Sequence, residues 1–207
     1  MKKKIIITGG LGYIGTELCK LYSGISWHHE VTVLDNRFIS ERVNQLRNWN
    51  IDFIHGDILD KDLVKKHFHN ADVVHHLAGI TNVPRTEREA SAELDSKIKL
   101  VGISGTQNIL DSINKNCKII FPSTHIVFEG IDRIKKDIEE SEITKPLLSY
   151  SSSKAKNEKQ IKESGKNFVI LRLGSVYGYS SDSMRIDIMP NLFSKIASQN
   201  GTLKLFA

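Results

Sequence analysis

The stretch "IIITGGLGYIG", Ile5 to Gly15, places four glycines within seven residues directly behind a run of β-branched side chains. Branched Cβ atoms favour extended backbone, so residues 4–8 are predicted as a strand. Gly10-x-Gly12-x-x-Gly15 then opens a helix predicted over 12–23, and Asp35 ends the next strand about 20 residues on. Glycines there allow a tight turn, let backbone amides approach a pyrophosphate, and let helix and strand pack closely; the helix N-terminus adds N–H donors and a favourable dipole. Strand, helix and acid together predict a dinucleotide seat. The Asp35 carboxylate suits the two hydroxyls of an adenosine ribose and repels a 2′-phosphate, which selects NAD over NADP, with Arg37 as the opposing cation.

Further β-rich runs at 30–34, Asp52–His55, Val73–His76, 118–121 and 167–171 alternate with helical stretches at 41–48, 61–67, 87–115 and 150–163. Six strands separated by helices predict an α/β fold, a doubly wound parallel sheet, and 207 residues suit one such domain. Residues 123–149 lack periodicity and follow the fifth strand, where such a sheet carries a ligand loop. The lysines behind the net charge of +5 are dispersed, with no zinc finger or aromatic-rich RNA motif, so no nucleic-acid partner is expected. The apolar run after lysines 2–4 stops at Thr8, and no stretch approaches the roughly 18 apolar residues of a membrane span. A cytoplasmic chain that does not engage membranes is expected. Cys19 and Cys117 read as reduced, buried thiols, and neither His75-His76 nor His67-x-His69 completes a metal-ligand set.

A second constellation is "YSSSK": Tyr150 and Lys154, four residues apart, share one face of a helix, and a nearby ammonium favours a phenolate. Ser123 and Thr124 stand just beyond the fifth strand, on the side of the sheet where the dinucleotide is expected.

With "TGGLGYIG", "VLDN" (33–36), "GDILD" (56–60), "HLAG" (76–79), "STHIVF" (123–128), "YSSSKAKNE" (150–158) and "LRLGSVYG" (171–178) in that order, the chain resembles the extended short-chain dehydrogenase/reductase family, the group of NAD-dependent nucleotide-sugar epimerases and dehydratases. The resemblance implies a Rossmann-type NAD domain over 1–175 carrying the catalytic residues, and over 176–207 the start of a substrate region that reads as truncated. It implies cofactor contacts from Gly9, Gly10, Gly12, Tyr13, Ile14 and Gly15 at the pyrophosphate. Asp35 and Asn36 would lie at the ribose, Asp57 and Ile58 beside adenine, and His76, Leu77, Ala78 and Gly79 along the cofactor at the end of the fourth strand. Thr124, Tyr150 and Lys154 would be catalytic: Tyr150 as general base and acid, Lys154 holding the nicotinamide ribose and lowering the tyrosine pKa, and Thr124 orienting a sugar hydroxyl. The implied reaction interconverts UDP-hexoses at C4 through a 4-keto sugar, and a homodimer is implied. A nucleotide-sugar ketoreductase is the nearest rival, since "STHIVFEG" also resembles that group, and a non-catalytic NAD-binding module is the other. The chain departs from the pattern at Gly102, where relatives often carry Asn, and at Phe128-Glu129 in place of Tyr-Gly. His125-Ile126 lack the Asp-Glu pair of sugar 4,6-dehydratases.

Overall fold

The computed structural model describes residues 2–25, 28–81, 91–180 and 183–204. Six strands, β1 (Lys3–Thr8), β2 (His29–Asp35), β3 (Asp52–His55), β4 (Val73–His76), β5 (Lys118–Thr124) and β6 (Asn167–Leu173), form one sheet in the order β3-β2-β1-β4-β5-β6. Every pairing is parallel, with Ile5 opposite Val31 on one side of β1 and Val73 on the other. The helices are α1 (Tyr13–Ser23), α2 (Ser40–Asn48), α3 (Lys61–Phe68), α4 (Ala92–Lys99), α5 (Gly105–Ser112), α6 (Ser149–Glu163) and α7 (Met189–Ser198).

The period of two along β1 divides the core. Ile5 and Ile7 join Cys19, Val33, Val43 and Leu46 beneath α1 and α2; Ile6 joins Val64, Phe68, Ile109, Ile119, Phe121 and Ile161 beneath α3, α5 and α6. Both faces of the central strands are therefore covered, as the continuous apolar run of β1 requires. The two cysteines are free and buried, and burial pushes Cys19 up to about 12 and Cys117 up to about 11. Among the described residues no helix is long and apolar enough to cross a membrane, and no group of three or more His, Cys, Asp or Glu side chains is placed to hold a metal ion.

The structure adds α7 and a 3-10 turn at His125–Phe128 that the sequence reading did not contain and carries β6 on to Leu173, and two further differences bear on the site. β5 runs on through Pro122 to Thr124, past the predicted end at residue 121. Its pairing with β4 ends at Ile120, so the missing proline N–H falls where no β4 neighbour needs it, while β6 still pairs through Leu173. The helix predicted over 87–115 is instead α4 and α5 joined by a π-helical turn, Leu100–Ser104; residues 82–90 lie outside the described residues. The turn brings Gly102 against α6 so closely that a Cβ there would collide with Ser153 Oγ. The carbonyls of Gly102 and Ile103 accept from Asn157 Nδ2 (3.0 Å) and Gln160 Nε2 (3.2 Å) on α6. Gly102 thus fits a close helix contact in which any larger side chain would require Ser153 to move.

Candidate functional site

The strand order reverses between β1 and β4, and the crevice outside the carboxyl ends of a parallel sheet at such a point is where ligands bind. All the site residues named above come from these ends or from the helices that follow them.

The glycine-rich turn leaves β1 at Gly9, whose φ of +69° is reached readily only without a side chain; a Cβ would also lie 2.9 Å from the Ala78 backbone. Gly15 packs against that turn, and a Cβ on it would sit 2.5 Å from the Gly9 carbonyl oxygen and 2.7 Å from Gly10 Cα. Gly12 precedes α1 and offers no side-chain cap, and the first turn carries no acid, so the leading amides are left for an anion. Ile14 is exposed on that turn, whereas the Tyr13 hydroxyl donates to the Gly178 carbonyl at 2.5 Å.

Asp35 is buried at the end of β2. Its carboxylate accepts from the amides of Leu11 and Arg37 (both 3.0 Å) and from the Arg37 side chain at 3.2 and 3.3 Å. The amides orient the carboxylate. Because the Arg37 side chain is half exposed, its guanidinium is the partner that ribose hydroxyls would have to displace. Asn36 Nδ2 donates to Asp57 Oδ2 (3.0 Å), linking the ends of β2 and β3 at the rim. Ile58 has its side chain in the core, packed on Gly105, and its carbonyl accepts from Asn108 Nδ2 (3.0 Å). Leu77 and Ala78 follow β4, their amides bound to the carbonyl and hydroxyl of Thr8, and Gly79 stands clear, with open space where a Cβ would be.

At the other half, Thr124 ends β5. Its Oγ1 accepts from the Ile126 amide at 3.2 Å, which leaves the hydroxyl hydrogen to donate elsewhere. Tyr150 lies in the first turn of α6, and Lys154 follows one turn later on the same face. Lys154 Nζ donates to the Pro122 carbonyl (2.8 Å), lies 4.3 Å from the Phe121 ring centre and 6.0 Å from that of Tyr150. Burial pushes Lys154 down to about 8, opposed by the Glu158 charge. Burial also raises Tyr150 above its ordinary value, and the cation that pulls it back is Arg185, in the segment after β6. The Lys154 ammonium thus reaches the Pro122 carbonyl while remaining on the same helix face as Tyr150.

Sequence reasoning passed over Glu158, which holds these residues, and set His76 along the cofactor, whereas it lies in the core. Glu158, one turn beyond Lys154, is buried and accepts from Ser123 Oγ (2.6 Å) and from Arg172 at 3.0 and 2.7 Å, fixing β5 and β6 to α6. His76 bridges Thr8 (3.1 Å) and Thr106 (2.9 Å) in the core, and burial, with a smaller push from Lys154, takes it down to about 3. The Tyr-x-x-x-Lys-x-x-x-Glu spacing could have flagged Glu158, because i, i+4 positions share a face. The histidine bridge joins three separate elements and leaves no local signal. Beyond Thr124, His125, Phe128, Glu129, Glu140 and Arg172 help line a hollow of about 590 Å³.

A glycine cradle at a topological switch point, a buried acid closing β2, and a Tyr/Lys helix face beside a strand-end threonine define a Rossmann-type nucleotide-binding protein. Residues 5–206 match the NAD dependent epimerase/dehydratase family, and the chain belongs to it. A putative UDP-glucose 4-epimerase of Methanocaldococcus jannaschii is 31% identical over 185 residues, covering 86% of this chain and 57% of that protein. A dTDP-D-glucose 4,6-dehydratase of Dictyostelium discoideum is 28% identical, over 85% of this chain and 44% of the relative. Among solved structures, the UDP-glucuronic acid 4-epimerase of Bacillus cereus, in complex with UDP-glucuronic acid and NAD, superposes with a TM-score of 0.77 at 26% identity, covering 99% of this chain and 66% of that one. The chain spans about half the length of the first of these curated relatives.

Proposed function

We propose that this chain is the NAD-binding and catalytic part of a nucleotide-sugar epimerase that interconverts UDP-hexoses at C4. The observation that carries the proposal is the shared face of Tyr150 and Lys154, anchored to the end of β5 two residues before Thr124, in the same parallel sheet whose β1 ends in the glycine cradle. The cradle fits NAD: Gly9, Gly10, Gly12 and Gly15 bring amides toward a pyrophosphate with Tyr13 and Ile14 on the same turn, Asp35 and Asn36 face the ribose, Asp57 flanks the adenine end, and Leu77, Ala78 and Gly79 line the path to the nicotinamide. When bound, NAD supplies the hydride acceptor and donor for the sugar carbon.

The remaining chemistry belongs to the side chains. Thr124 donates its free hydroxyl hydrogen to the sugar O4 and fixes its position. Tyr150 takes the O4 proton as the carbonyl forms and returns it when the carbonyl is reduced. Lys154 spends one N–H on Pro122 and keeps two for ribose hydroxyls, so it positions cofactor and tyrosine together. The segment that follows β6, with α7, forms the start of the region that receives the sugar nucleotide.

The test offers UDP-glucose and UDP-galactose with NAD and follows isomer ratio and nicotinamide absorbance together. An epimerase exchanges the isomers with no net change in absorbance. Tyr150→Phe is expected to keep NAD affinity and lose about 10²–10⁴-fold in rate. Isomer exchange that survives this substitution refutes the mechanism. Stoichiometric consumption of reduced cofactor with keto-sugars assigns the site to a reductase, and NAD binding without chemistry on any sugar nucleotide assigns it to a binding module.

A further inference from the structure

Helix α6, which carries Tyr150 and Lys154, begins without a cap of its own: the residue before it is Leu148, whose side chain has no acceptor, and its first turn holds no acid. The groups at its start are met from another part of the chain. Glu129 Oε1 accepts from the Leu147 and Leu148 amides (both 2.7 Å) and from the Ser151 hydroxyl, so one carboxylate oxygen grips the chain on both sides of Tyr150. Burial by itself would raise the Glu129 carboxyl, but the hydrogen bonds from Ser151, Leu148 and Leu147 hold it below its ordinary 4.5. It therefore stands as an anion at the positive end of the helix.

The other end of this link lies behind Thr124. Glu129 follows the 3-10 turn His125–Phe128, which begins at Thr124 and is capped by the Thr124 hydroxyl, and the Glu129 amide donates to the Ile126 carbonyl at 3.0 Å. The Lys145 amide donates to the Val127 carbonyl and the Gly130 amide to the Lys145 carbonyl, both at 2.8 Å, which lays this turn alongside the approach to α6. The contact is close: a Cβ on Gly130 would lie 2.6 Å from the Lys145 carbonyl oxygen.

We propose that Glu129 is a positioning residue whose carboxylate caps α6 from across the loop and thereby sets Tyr150 relative to Thr124. The inference rests on the reading of those two side chains as the proton-transfer group and the sugar-orienting hydroxyl. The physical case is that the first turn of a helix frays most readily, that Tyr150 lies within that turn, and that bonds to an ionised acceptor are the strong ones.

The experiment reads the first turn of α6 directly as well as through turnover. The protein is labelled with 3-fluorotyrosine, and the fluorine resonance of residue 150 is assigned by its loss in Tyr150→Phe. Glu129→Ala is expected to speed amide hydrogen exchange at Leu147 and Leu148 by about tenfold or more and to move the Tyr150 resonance by more than its line width. With UDP-glucose and UDP-galactose, kcat should fall about 10–100-fold while KM and NAD affinity stay within about twofold, whereas a general loosening of the fold would move all three. Glu129→Gln keeps an oxygen for the two amides and is expected to restore the resonance and most of the rate. Glu129→Asp, one methylene shorter, is measured in parallel in case the alanine variant does not fold. Unchanged exchange or an unmoved Tyr150 resonance in the folded variant overturns the proposal, as does a Gln variant that restores neither, or a loss of NAD affinity as large as the loss of kcat. Absence of epimerase activity in the wild type, with the resonance moved as expected, would refute the functional reading and leave the hold of Glu129 on Tyr150 standing.

Discussion

Replacing Glu158 by Gln tests the charged link that holds the catalytic strand end to its helix. The Glu158 and Arg172 side chains are 4% and 13% exposed, so the pair is shielded from solvent. Gln keeps one oxygen but turns an NH₂ toward the guanidinium, placing donor against donor. Removing one partner of a buried pair costs about 3–5 kcal/mol; Arg172 retains the Glu140 carbonyl at 3.0 Å and the Phe128 ring at 4.9 Å, so about 2–4 kcal/mol is expected. For a chain of this size that lowers the melting temperature by roughly 5–15 °C. Burial by itself would raise the Glu158 pKa, but hydrogen bonds from Arg172 and Ser123, with the charges of Arg172 and Lys162, hold it below its ordinary 4.5. A carboxyl depressed in the folded state stabilises fully above its unfolded value and loses that contribution as pH falls through the folded one. The gap between wild type and Glu158→Gln, followed by thermal melts monitored by circular dichroism, should therefore be constant from neutral pH down to about 5 and close below about 4.5. No gap at neutral pH, or one of the same size at neutral pH and well below 4, would refute the reasoning.

Titration calorimetry should show NAD binding more tightly than NADP if Asp35, buried and held by two backbone amides, receives the ribose as proposed; equal affinities would mean that Arg37 governs the pocket. Gly15→Ala should lower stability by about 1–3 kcal/mol despite a helix-propensity gain of nearly 1, because the new methyl meets backbone at 2.5 Å. NAD affinity should fall with it, and a melting temperature at or above wild type would contradict the packing argument.

Much of this protein is legible in its sequence because the signals are local. Ile5, Ile6 and Ile7 must be covered on both faces, which places β1 inside a parallel sheet, and the glycine spacing behind them prescribes a turn into a helix. Tyr150 and Lys154 share a face because α-helical geometry puts them there. The π-helical turn at Leu100–Ser104, which packs Gly102 against Ser153 of α6, left no local signal. The same holds for Ile58, whose side chain went to the core because Gly105 leaves room for it. Only the tertiary structure decided which charges face one another. Lys154 was drawn to the Pro122 carbonyl, and Glu158 paired with Arg172 across α6 and β6. Periodicity and turn chemistry are fixed by neighbours along the chain, whereas a buried charge is satisfied by whichever group the fold brings within about 3 Å, at any sequence separation.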